Sequence, residues 1–320
     1  MNTLLPVLLE AIAKQKQARE SAKANGELSG PIREYGLMGE DGRMRLKSRK
    51  GGTMQQDKDT VNISHYLTYD GPDQVVTSFE LDDILKQSSE YALCVKSKMP
   101  TLDKLLEGFE IGELIAISGP RKSGKTLFAQ SLTVNFLSIK SLCFSYELTL
   151  KQFLRTFPEL PLFISPLKLK AYSLPWLKER ILEALFKHGI GVVFIDHLHF
   201  LFDLVRAKNT SLEIGQVVRF LKTIAIDCNL VIFLLCHMKK ISFDKEPDDS
   251  DVRDSCLVSS ESDTGLILWR LVDTENQAIV KVAYSRRTGV LGKTFKIGKV
   301  NGLLKEIRED EQRGDPKTGK

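Results

Sequence analysis

The sequence predicts an α/β protein, a mainly parallel sheet flanked by helices with a helical and loop-rich extension before it. Three patterns carry that expectation. Four short runs, 114–118, 141–145, 192–196 and 230–236, are apolar almost throughout, as suits strands buried on both faces of a parallel sheet. Between them, 124–137, 174–187 and 212–228 place apolar residues at helical spacing. Alternating runs at 265–269, 278–284 and 294–297 then predict strands that continue the sheet by hairpins.

Ahead of this region, 2–24 carries Leu4, Leu5, Leu8, Leu9 and Ile12 near helical spacing, the pattern of an amphipathic helix. Residues 25–74 mix glycines with both charge signs and hold neither period for long, which reads as loop with a short hairpin around 63–69. A short helix is expected over 80–90, and the polar end, 309–320, reads as a solvated, disordered tail. The expected organisation is an extension at 1–98, a main domain at 99–308 and that tail.

At 320 residues and 42% hydrophobic, the chain can bury one large core and still carry an appendage. Charged residues make up 27%, and no apolar run approaches the length of a membrane span, so a soluble intracellular protein is expected, with no membrane partner. The five cysteines form no CxxC pair, which argues against a zinc module or a disulfide framework. A net charge of +5 is compatible with a polyanionic partner and does not by itself identify one.

The strongest motif is GPRKSGKT, formed by Gly119, Pro120, Arg121, Lys122, Ser123, Gly124, Lys125 and Thr126. It matches GxxxxGKT and sits between a predicted buried strand and a predicted helix, the context that a phosphate-binding loop requires. Its glycines let backbone N–H groups and a helix N-terminus converge on one anion. Lys125 is placed to reach the β- and γ-phosphates of ATP or another NTP, and Thr126 to hold Mg²⁺. Asp196 ends the apolar run VVFID, which is expected beside the phosphate strand, and would be the second Mg²⁺ residue. Glu147 in SYEL and His237 in CHMKK end other strands at the carboxyl edge, where ligands of open α/β sheets bind. The first could orient or deprotonate water and the second could donate to a γ-phosphate. His197 and His199, flanking Asp196 and lacking further ligand partners nearby in sequence, read as turn or packing residues.

These pieces, in this order, resemble the RecA-like ATPase domain of hexameric replicative DNA helicases, the group of DnaB, Twinkle and the phage helicase-primases. TLDKLLEGFEIGEL resembles the family's lead into the phosphate loop, SYELTLKQFLRTF the stretch with its catalytic glutamate, VVFIDHLHFL its metal-binding strand and CHMKK its sensor histidine. SDVRDSCLVSSESD matches a further segment through Asp251, Arg253, Ser255 and Asp263. AYSRRTGVLG resembles the strand that delivers an arginine to a neighbouring subunit's nucleotide; its register allows Arg286 or Arg287, with Arg286 preferred. Departures are Tyr284 or Ser285 where the family has a lysine, Cys256 where it has glycine, and an N-terminal region unlike either a primase or a helical collar.

The resemblance implies a ring, a homo-oligomer of hexameric type, that hydrolyses ATP with Mg²⁺ and moves along single-stranded DNA among replication proteins. Lys239 falls where relatives contact the DNA backbone. The basic stretches 202–209, with Arg206 and Lys208, and 239–245, with Lys239, Lys240 and Lys245, are the candidate DNA loops, or equally solvated surface. The rival reading is a RecA-like ATPase that regulates, loads or recombines without unwinding.

Overall fold

The computed structural model describes residues 37–38, 44–45, 74–87, 94–136, 139–202, 209–238, 246–251, 255–271, 274 and 276–307. The chain divides into two compact units, residues 1–81 and 82–320. In the first unit β1 (Leu37–Met38) pairs antiparallel with β2 (Met44–Arg45). The predicted helix at 2–24, the hairpin at 63–69 and the tail at 309–320 lie outside the described residues. Helix α1 (Ser78–Gln87) starts two residues before the sequence predicts. Thr77 and Glu80 cap it reciprocally: the Thr77 N–H donates to Glu80 Oε2 at 2.8 Å and the Glu80 N–H to Thr77 Oγ1 at 3.3 Å.

After the end of α1, which falls in the second unit, that unit holds a small hairpin, β3 (Cys94–Val95) against β4 (Phe109–Glu110), enclosing α2 (Pro100–Leu106). Strands β5 (Leu114–Gly119), β6 (Lys140–Ser145), β7 (Phe163–Ile164), β8 (Ile190–Asp196), β9 (Val231–His237) and β10 (Thr264–Arg270) then run parallel. β11 (Gln277–Ser285), β12 (Leu291–Val300) and β13 (Leu303–Glu306) extend the sheet as an antiparallel meander. The nine strands lie in the order β13, β12, β11, β10, β5, β9, β8, β6, β7.

Helices α3 (Lys125–Asn135), α4 (Leu150–Arg155), α5 (Leu174–His188), α6 (Thr210–Asp227) and α7 (Ser255–Glu261) complete the unit. Alternation along β5 divides the core by face. Leu114 and Ala116 pack with Leu177, Ile181, Val218 and Leu221 of α5 and α6, while Ile115 and Ile117 pack with Phe128 and Leu132 of α3 and with Leu102 and Leu106 of α2. The second face is tied by aromatic contacts, among them Phe194 on Phe233 at 4.8 Å and Phe109 edge-on to Phe233 at 4.9 Å.

One expectation fails. The strand ending in Asp196 is not beside the phosphate strand, because β9 lies between β5 and β8 and pairs with both. Apolar runs identify buried strands without stating their order, and here Thr126 in the first turn of α3 reaches Asp196 across the one intervening strand.

Candidate nucleotide site

Every predicted catalytic group except the arginines stands at the carboxyl edge of the parallel strands. Gly119 ends β5 opposite His237 of β9, and Asp196 ends β8 opposite Ser145 of β6. The connections leave the sheet there, and the cleft opens at that edge. The cleft measures about 960 Å³, and its lining includes the phosphate loop from Arg121 to Thr126, Glu147, His197 and His237.

The loop is tight at Gly119, where a Cβ would overlap the Leu268 carbonyl of the neighbouring strand β10. Gly124 takes φ 100°, a left-handed conformation that L side chains rarely adopt, and so turns the chain into α3. Ser123 Oγ is buried without a hydrogen-bond partner, and Lys125 is 6% exposed. Its Nζ donates to the carbonyls of Gly119 at 3.0 Å and Pro120 at 2.9 Å. Burial holds the ammonium below the usual lysine range, against the pull of Glu147 and Asp196. An orphan hydroxyl, a largely desolvated cation and a left-handed glycine at a helix start together suit a phosphate.

Thr126, at the first turn of α3, donates its hydroxyl to Asp196 Oδ2 at 2.7 Å. Burial raises the Asp196 carboxyl above the usual carboxylate range, with the Thr126 bond opposing. Two hard oxygen ligands this close are the donor set that Mg²⁺ takes when it also binds phosphate.

Glu147 is placed by its neighbours. The Tyr146 N–H donates to the Asp196 carbonyl at 2.7 Å, and the Tyr146 ring stacks on Phe200 at 5.4 Å. A capping box between Thr149 and Gln152 starts α4 two residues later. Glu147 Oε1 meets Nε2 of His197 at 3.1 Å and Nε2 of His237 at 3.0 Å. Hydrogen bonds from His197 first and His237 second hold its carboxyl far below the usual range. A carboxylate so strongly stabilised is a poor proton acceptor, so in this arrangement it is suited to orienting water.

His197 thus does more than turn the chain. Its Nδ1 does accept from the His199 N–H at 3.3 Å, the turn role that the sequence suggested, but its Nε2 joins the two catalytic candidates. The sequence also left out Arg270 and Lys299, exposed cations on the cleft lining. Arg270 ends β10, and that strand's pairing beside β5 is the signal that would have found it.

The arginines lie elsewhere. Ser285 is level with Thr264, which is level with Ile115 near the start of β5, four residues or about 13 Å short of Gly119. There the structure separates the two candidates. Arg287 donates through Nε to Glu113 at 2.9 Å and through one Nη to the carbonyls of Leu106 at 2.6 Å and Gly108 at 2.7 Å. Arg286 is exposed and donates to the Ser260 carbonyl in the last turn of α7. Asp263 accepts from Lys222 Nζ at 2.7 Å and from the Leu114 N–H at 2.7 Å, a structural clasp on the start of β5. Arg206, Lys208, Lys239, Lys240, Lys245 and Arg253 lie outside the described residues, as do the side chains of Ser255 and Cys256. Among the described residues no helix is long and apolar enough to cross a membrane.

Comparison with known proteins points the same way as the geometry. Residues 149–298 match the family model of the DnaB-like helicase C terminal domain. The replicative DNA helicase DnaB of Rickettsia prowazekii is 24% identical over 58% of this chain and 47% of its own length. A probable replicative DNA helicase of Trieres chinensis is 26% identical over 58% of this chain and 49% of its own. The chain therefore spans about half the length of these curated relatives. A solved ATPase domain superposes with TM-score 0.59 at 18% identity, covering 72% of this chain and 97% of that one. The structure of a DnaB-like replicative helicase, solved in a study of its interactions with primase, gives TM-score 0.59 at 20% identity, covering 74% of this chain and 69% of that one. Residues 149–298 thus resemble the DnaB-like helicase C terminal domain, on a fold similar to those of the two solved structures.

Proposed function

We propose that the chain is an ATP-dependent, ring-forming DNA helicase or translocase, with its ATPase core over 99–308, an N-terminal extension and a short tail. ATP occupies the cleft with its phosphates on the loop from Gly119 to Thr126. Thr126 and Asp196 would hold Mg²⁺, which would supply positive charge to neutralise the phosphates. Lys125 exchanges its two carbonyl partners for phosphate oxygens, Glu147 orients the attacking water, and His237 donates to the γ-phosphate.

The observation that carries the ring is the place of Arg286. It is exposed and about 13 Å along the strands from the loop of its own chain. An arginine there can serve a nucleotide only across a subunit interface, whereas the bonds of Arg287 to Glu113, Leu106 and Gly108 hold it within its own chain. The stretches with Arg206, Lys208, Lys239, Lys240 and Lys245 would follow single-stranded DNA, and replication proteins would be the further partners.

Mixing Lys125→Ala chains, which keep the arginine, with Arg286→Ala chains, which keep the loop, tests this. Neither should hydrolyse ATP alone, and mixed rings should recover part of the activity. If mixed rings form and stay inactive, the trans arginine is wrong. The second reading is a RecA-like ATPase that regulates, loads or recombines without unwinding, a role that the same core can serve. ATPase stimulated by single strands, without strand displacement on a forked substrate, would select it.

A further inference from the structure

Glu147 Oε1, His197 Nε2 and His237 Nε2 form a nearly equilateral triangle, with edges of 3.1, 3.0 and 3.1 Å. Hydrogen bonding does not satisfy all three edges. Each Nε2 carries either one proton or one lone pair. If both are protonated, both can donate to the carboxylate, but the two N–H groups then face each other. If one is protonated, the other imidazole sets a lone pair against Glu147. No tautomer makes every edge a donor–acceptor pair.

We propose that this triangle is a binding site for a borderline divalent transition ion such as Zn²⁺, separate from the oxygen ligands of Thr126 and Asp196. The three atoms are the ligand types that zinc takes, two imidazole nitrogens and one carboxylate oxygen. In a tetrahedral site with bonds of about 2.0–2.1 Å, neighbouring ligand atoms lie about 3.3 Å apart. The present edges therefore need to open by only about 0.3 Å. An ion at that bond length stands about 1 Å out of the triangle's plane, leaving a fourth position for water or a phosphate oxygen. Magnesium, which prefers octahedral oxygen ligands, suits the site poorly.

Binding moves the His197 proton to Nδ1, replacing the long contact from the His199 N–H. His237 Nδ1 is buried with no hydrogen-bond acceptor behind it. Without such support the ion is held reversibly rather than as a permanent structural metal. Its binding stands on geometry alone. Its effect rests on the hydrolase reading: an ion holding Glu147 and His237 takes both away from water and γ-phosphate, so turnover stops while the phosphate loop remains intact.

The test uses the full chain, freed of metals, titrated with Co²⁺ without nucleotide. One equivalent should give the intense visible bands of tetrahedral cobalt without thiolate charge-transfer absorption. His197→Gln and His237→Asn should each weaken binding by more than about tenfold, while His188→Gln, on a surface helix end, should not. Circular dichroism confirms that each variant is folded. Weak octahedral bands, thiolate bands, or unchanged affinity in both folded triangle variants overturns the site. In a second arm, Zn²⁺ should inhibit the Mg²⁺-dependent ATPase of the wild-type chain over the same concentrations at which it displaces Co²⁺ from the triangle; inhibition that does not follow that displacement overturns the assigned effect. A chain with no ATPase under any condition fails the hydrolase reading and leaves the cobalt result standing.

Discussion

The two ends of the parallel strands treat charge in opposite ways. At the carboxyl edge, Lys125 and Asp196 are buried, and burial pushes each towards its neutral form. Ser123 Oγ has no partner there. At the other edge the charges are closed into clasps, Arg287 with Glu113 and Lys222 with Asp263, each also bonded to backbone that starts or precedes β5. Charges left partly unsatisfied in a cleft mark a place prepared for a ligand, whereas charges closed on one another mark a place where the fold is fastened. Arg286 is the exception at the fastened end, exposed and bonded to a helix-end carbonyl.

The largest effect expected from this contrast is at Lys125. Lys125→Ala should abolish ATP turnover and leave the melting temperature close to wild type, because the lysine serves a phosphate rather than the core. Normal hydrolysis by a folded variant would remove the cleft from the argument. Arg286→Ala should cost on the order of 10³-fold in turnover in the assembled protein, with ATP affinity far less affected. Glu147→Gln should keep nucleotide binding, measured by equilibrium dialysis, and lose most single-turnover hydrolysis.

Arg287→Ala should instead appear in denaturation. It leaves Glu113 buried without its guanidinium partner, at a cost of about 1–3 kcal/mol, read as an earlier urea midpoint. A folded Arg287→Ala protein of unchanged stability but lost turnover would exchange the roles assigned to the two arginines.

The smallest effect concerns pH. Burial raises the Glu113 carboxyl above the usual carboxylate range in spite of Arg287. A carboxyl raised in the folded state contributes stability that is full below its unfolded value, about 4.3, and is lost as pH rises through the raised value. Urea midpoints across that window should therefore carry a downward component with rising pH, and Glu113→Gln should remove it.

Much of the carboxyl edge was legible in the sequence because its signals are local. A glycine-rich loop between a strand and a helix, and carboxylates that end apolar runs, each occupy a few consecutive residues. The fastened edge was not, since Arg287 finds Glu113 across 174 positions and Lys222 finds Asp263 across 41. Strand order escaped for the same reason: β9 entered between β5 and β8 although each run was identified alone. Short elements such as α4, β7 and β13 are too brief to show a period, and the role of His197 needed the folded distances to Glu147 and His237. Of the two arginines the sequence preferred Arg286 on spacing; in the structure Arg286 is exposed while Arg287 is bonded to Glu113, Leu106 and Gly108.

The hold of Lys125 on the carbonyls of Gly119 and Pro120 also bears on how fast the cleft can empty. A buried ammonium stripped of its partner would cling to a departing phosphate and slow its escape. Here two acceptors at 3.0 and 2.9 Å already hold the lysine. If a nucleotide binds as proposed, they would take the lysine back as the phosphate leaves, which would lower the barrier to product release at the expense of some grip on the incoming nucleotide.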